Sequence, residues 1–115
     1  MDIIKGEPYV GSFYVRDDSG MFVRDLSNVG SGSKITMYNI DDKTFAGEYP
    51  LSMDTSVVGK HCAKLNMTTY QTGSLKTIIE GGDDRFMHMA PYYGVIKINF
   101  PGEPVLAQVD KINVI

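Results

Sequence analysis

Tryptophan is absent from this 115-residue chain, cysteine occurs once, and apolar residues never run long without interruption. Each shortage excludes something. A lone Cys62 cannot close an intrachain disulfide, so a disulfide-stapled scaffold is excluded. No stretch approaches the ~20 apolar residues of a membrane-spanning helix. Met1 to Gly6 shows no basic segment followed by a long apolar one. The expectation is therefore a chain with no signal peptide, made in a reducing cytoplasm. Basic excess is missing as well: Lys and Arg number 11 against 14 Asp and Glu, a net charge of -3. The densest basic stretch is Lys60, His61 and Lys64. Such a balance disfavours non-specific binding to a phosphate backbone.

Chemical motifs are equally scarce. There is no C-x-x-C or H-x-x-x-H pair, so a four-ligand zinc site has no scaffold. His61 and Cys62 are adjacent, and neighbouring residues of a strand point to opposite faces. They cannot address one metal there, and a Cys-His nucleophile would require the imidazole to reach the thiol. The Gly-rich segments Gly30-Ser31-Gly32-Ser33 and Gly81-Gly82 lack the Lys-Ser/Thr of a phosphate loop. Asp17-Asp18, Asp41-Asp42 and Asp83-Asp84 sit where turns are expected and lack calcium-loop spacing. No catalytic residue, metal ligand or cofactor is predicted.

What the chain has is alternation. Hydrophobic residues make up 43% and charged residues 22%, which are globular values, and seven Tyr and five Phe supply apolar surface. Tyr9 to Arg16 places Tyr9, Gly11, Phe13 and Val15 on one face. Asp17-Asp18-Ser19-Gly20 then predicts a turn into a second strand, Met21 to Leu26, making a hairpin. Lys34 to Ile40 predicts a third strand, and Thr44 to Tyr49 a fourth closed by Pro50. Residues 54–66 read as helix or strand, with a strand from His61 to Tyr70 favoured because Ala63, Leu65 and Met67 then face inward. Gln71-Thr72-Gly73 reads as a turn. Short strands follow over Leu75 to Glu80 and Arg85 to Met89. Tyr93 to Phe100 predicts the strongest core strand, burying Ile96, Ile98 and Phe100. Pro101-Gly102-Glu103-Pro104 turns the chain into a last strand, Val105 to Ile115, whose phase shift at Asp110-Lys111 predicts a bulge.

The predicted fold is all-β over residues 1–115 as a single domain: a mostly antiparallel sandwich or small barrel of about eight strands. Function is less legible. Met87-His88-Met89 with Tyr92-Tyr93 combines adaptable thioethers and rigid aromatics, as interface cores do. Val114 and Ile115 end the last strand without polar cover, which predicts that a neighbour pairs with it. The leading expectation is a non-catalytic protein that acts through protein-protein contacts as a homo-oligomer or part of a larger assembly. Its concrete form is a small phage or virus particle component of decoration, cement or connector type, resident in the virion and made in the host cytoplasm, or otherwise cytoplasmic. Two alternatives stand beside it. One is a barrel binding single-stranded nucleic acid or a small ligand, with Tyr14, Arg16, Phe22, Arg24 and Tyr38 as a stacking platform. The other is an inhibitor that occludes a partner's active site.

Overall fold

The computed structural model describes residues 1–77 and 90–115. The fold is nearly all-β, a seven-stranded mixed sheet curled into a nearly closed barrel. In chain order the strands are β1 (Asp2–Ile3), β2 (Tyr9–Phe13), β3 (Lys34–Asn39), β4 (Phe45–Asp54), β5 (Cys62–Met67), β6 (Tyr92–Ile98) and β7 (Val105–Val114), with one short helix, α1 (Thr69–Gly73). Around the sheet the order is β1-β7-β6-β3-β4-β5-β2. All neighbours are antiparallel except β1 and β7, which run parallel.

Alternation fills the interior. Ile35 and Met37 of β3, Ala63, Leu65 and Met67 of β5, Ile96 and Ile98 of β6, and Ile112 and Val114 of β7 are all buried in one core. Gly94 lets β6 fit among them: a Cβ there would lie 2.9 Å from Ile112 Cδ1 and 3.2 Å from Ile35 Cδ1. The predicted bulge in β7 is present. Tyr92 pairs with Ile112 and Gly94 with Val109, so Tyr93 faces both Asp110 and Lys111.

The expected all-β class holds, with the described residues forming seven strands in the barrel arrangement. Several local expectations need correction. The hairpin from Tyr9 to Leu26 reduces to one bridge, Arg16 with Val23. One local and one distant bond divert that segment: Ser19 Oγ donates to Asp17 Oδ1 at 2.6 Å, and the Leu26 N–H donates to His61 Nδ1 at 3.0 Å. Pro50 does not close β4, which continues to Asp54. At Pro50 the strand passes from its β3 partner Lys34 to its β5 partner, Leu51 facing Leu65. The Leu51 N–H donates to Ser33 O at 2.9 Å, so the pairing resumes one residue later. The strand into Tyr70 stops at Met67 because Thr68 caps a helix. Its hydroxyl accepts from the Gln71 N–H, and Gln71 Oε1 accepts from the Thr68 N–H at 2.8 Å. Gln71-Thr72-Gly73 is thus helical. Leu75 to Thr77 form no strand, and the remainder of the predicted 75–80 and 85–89 strands lies outside the described residues. Phe100 lies just beyond β6 and is half-buried under the Arg24 guanidinium, 3.8 Å from the ring centre.

Candidate functional site

Strand registers assign the connections to two ends of the barrel. Phe13 of β2 lies beside Ala63, Asp54 of β4 beside Cys62, and Ile98 of β6 beside Val105. Residues 14–33, 55–61 and 99–104 therefore gather at one end, the loop end. Residues 4–8 and α1 belong to the other. There the Thr72 hydroxyl accepts from the Gly6 N–H at 3.1 Å and donates to Glu7 O at 2.8 Å. Thr72 is fully buried, so α1 is tied to the chain that links β1 to β2.

The sheet begins with β1 and ends with β2, so the barrel has a seam between them. At the far end β1 fills it. Asp2 and Ile3 pair with Asn113 and Val114 of β7, and Asn113 Nδ2 donates to Asp2 Oδ1 at 2.7 Å. On the β2 side, burial and then the Asp2 charge push the Tyr9 hydroxyl above its ordinary pKa. Towards the loop end β1 is gone, and no described strand replaces it. Among the described residues, β2 pairs only with β5, and Val105 to Val109 pair only with β6. The edges of two strands face one another there.

Between these edges lies a groove of about 590 Å³. Its walls are Phe13 and Val15 on one side, Val105, Ala107 and Val109 on the other, and Ile96 and Ile98 at the base. Ser12, Tyr14, Arg16 and Gln108 complete it. No carboxylate among the described residues pairs with the Arg16 guanidinium. Val10, Tyr14 and Leu106 stand exposed on the outer faces of the same strands. The arrangement is an apolar slot with one cation at its rim and backbone donors and acceptors along both sides.

The residues named from sequence are dispersed. Tyr92 is buried, and its hydroxyl accepts from the Lys76 N–H at 2.8 Å. Tyr93 stacks on Tyr38 with ring centres 5.2 Å apart. Val114 is fully buried in the core, and β7 is covered on its terminal stretch by β6 and β1, so this end of the strand is no edge. Ile115 is exposed, although its N–H donates to Ile3 O and its carbonyl accepts from the Lys5 N–H. Met87, His88 and Met89 lie outside the described residues. The five residues of the nucleic-acid platform do not share a face. Tyr38 belongs to β3, separated from β2 by β4 and β5, and Arg24 is engaged by Phe100.

His61 and Cys62 are both buried at the loop end. His61 Nδ1 accepts from Leu26, which assigns the ring proton to Nε2. Asp25 Oδ1 lies 3.3 Å from the same nitrogen, and with Nδ1 as acceptor that approach is a proximity, not an ion pair. The histidine thus fastens the 14–33 segment to β5. Among the described residues no three His, Cys, Asp or Glu side chains converge as a metal site would require.

Acidic turn residues repeat one local device. In Asp17-x-Ser19, Asp25-x-Ser27, Asp42-x-Thr44 and Asp54-x-Ser56, the carboxylate accepts from the residue two positions on. These bonds hold all four carboxyls below their ordinary pKa, Asp54 also through Lys64 at 3.1 Å.

Sequence reasoning missed the seam. Both of its strands were read as alternating, and Phe13 and Val15 were placed on one face. Which edges stay unpaired was not legible in either strand alone. No family model, curated protein or solved structure matches this chain.

Proposed function

We propose that this chain is a non-catalytic interaction module that works through protein-protein contacts. The observation that supports it is the seam: two strand edges left unpaired across an apolar groove. Exposed edges template pairing with another chain, and natural sheets normally blunt them with charge, proline or cover. Here the outer flanks are Val10, Tyr14 and Leu106. The loop end adds exposed Met21, Phe22, Val57 and Val58. Scattered apolar residues are ordinary, but several gathered around one end and one seam fit a contact surface. The concrete form proposed is a small phage or virus particle component, of decoration, cement or connector type, held by neighbouring subunits in a homo-oligomer or larger assembly.

Size-exclusion chromatography with light scattering, run over a concentration series, tests this reading. A regular oligomer, or a stoichiometric complex with a particle subunit, is the expected result. A monomer that binds single-stranded oligonucleotide with affinity falling steeply with salt overturns it. A second reading, a barrel that takes up a small ligand, is favoured by the groove volume of about 590 Å³, within the usual range of ligand pockets.

A further inference from the structure

We infer that the groove receives one extended segment of a partner protein, which adds as a strand between β2 and β7, in line with β1. This rests on the interaction reading and names the partner's chemistry. At the far end β1 lies against β7, with Asp2 and Ile3 beside Asn113 and Val114. The groove is the continuation of the track that β1 follows, bounded by the same two strands. Phe13 and Val15 of one edge and Val105, Ala107 and Val109 of the other wall the same groove, so a single extended segment between them reaches both edges.

Direction and composition follow. β1 runs parallel to β7. A segment continuing its track is also parallel to β7 and antiparallel to β2, so its N-terminal end lies at the loop end, near Arg16. Alternate side chains point into the barrel against Phe13, Val15, Ile98 and Val109, so those positions are apolar. The intervening positions face outward. The Arg16 guanidinium, without an ion-pair partner among the described residues, selects a carboxylate near the segment's N-terminal end. The free stretch of β7, Val105 to Val109, limits the insert to roughly five to seven residues. A second copy is the poorer occupant. The described strands of this chain are already paired in their own sheet, so a copy would have to give one up.

The probe is the peptide acetyl-Glu-Val-Thr-Val-Thr-Val-Thr-amide, titrated into the whole chain by calorimetry, with amide hydrogen exchange followed in parallel. Saturable binding is expected, with new protection at both Tyr9–Phe13 and Val105–Val109. A peptide of the same composition with its three Val adjacent should bind at least tenfold more weakly. Arg16→Glu, at an exposed position, should weaken the Glu-headed peptide at least tenfold and favour a Lys-headed one. Ala107→Trp fills the groove from an exposed position and should abolish binding while adding the chain's sole Trp as a folding reporter. No saturable binding, protection along one edge alone, or unchanged affinity in Ala107→Trp overturns the inference. So does a concentration-dependent dimer of the chain that Ala107→Trp dissolves, or groove uptake of dodecanoate without uptake of peptide. If the chain enters a native assembly that Ala107→Trp leaves intact, the seam inference fails and the interaction reading stands.

Discussion

The two halves of β7 are one strand in two environments. Its terminal part, Ile112 to Val114, meets β6 at Ile112 and β1 at Asn113 and Val114, and Ile112 and Val114 are both 0% exposed. Its first half, Val105 to Val109, has β6 alone, and its inward residues Val105 and Val109 stay partly exposed beside the groove. Both halves alternate, and both are rich in β-branched residues. The difference teaches that inward direction is not burial. Where β1 lies along β7 the inward residues are closed off from water, and β1 supplies that wall with two residues.

The comparison breaks most visibly through the core. Ile112→Ala in the covered half and Ile98→Ala in β6 should each cost about 2–5 kcal/mol. Ile98 belongs with Ile112 although it lies at the loop end, because β6 has strands on both sides. Chemical denaturation checks this against the half-exposed control Lys97→Ala; equal midpoints would show that flanking strands do not govern burial here. Cys62→Ser comes next. Cys62 is buried at the loop end, so a hydroxyl there should cost about 1–3 kcal/mol. Assembly by light scattering should be unchanged, and lost assembly in a folded variant would give the thiol a role beyond packing. Val105→Ala, on the open half, should cost less than ~1 kcal/mol, since its side chain already meets water. A loss matching that of Ile112→Ala would mean that the seam is closed in solution.

Acid sharpens the same contrast with the smallest effect. Asp17, Asp25 and Asp54 stand at the loop end and Asp42 at the far end, all exposed or half-exposed and all with folded pKa values depressed below the ordinary aspartate value. A depressed carboxyl contributes its full stabilisation above the unfolded pKa and loses it as pH falls through the folded value. Amide exchange should therefore show the 14–33 and 55–61 loops losing protection first below about pH 4, ahead of the far-end loops. Equal loss at both ends would mean that these turn bonds do not hold the loop end.

The strands that were legible share a property. β3, β5 and β6 alternate strongly and bury one face, so period and burial agree, and in β7 even the bulge at Asp110-Lys111 shows as a slip of phase. The failures share another. At Met21 to Leu26 and at Thr68 to Gly73, short polar side chains offer the backbone local partners: the Met21 N–H donates to Ser19 Oγ, and the Gln71 N–H donates to the Thr68 hydroxyl. Alternation in the first segment was outweighed by those bonds and by a distant acceptor, His61, that no local pattern announces. The interface expectation at the terminus failed to find an edge for a similar reason. Nothing near Val114 in sequence signals that Asp2 and Ile3, over a hundred residues away, lie beside it.

By itself the sequence determined the class of fold, the inward faces of most strands and the turn chemistry of the Asp-x-Ser/Thr sites. These depend on a period of two and on bonds spanning two residues, both local. Tertiary structure alone decided that the sheet curls into a barrel, that β1 runs parallel to β7, and that the closure stops halfway to leave the groove. Those outcomes depend on which strands lie next to which. An unpaired edge has the same residues as a paired one, and only the position of its neighbours tells them apart.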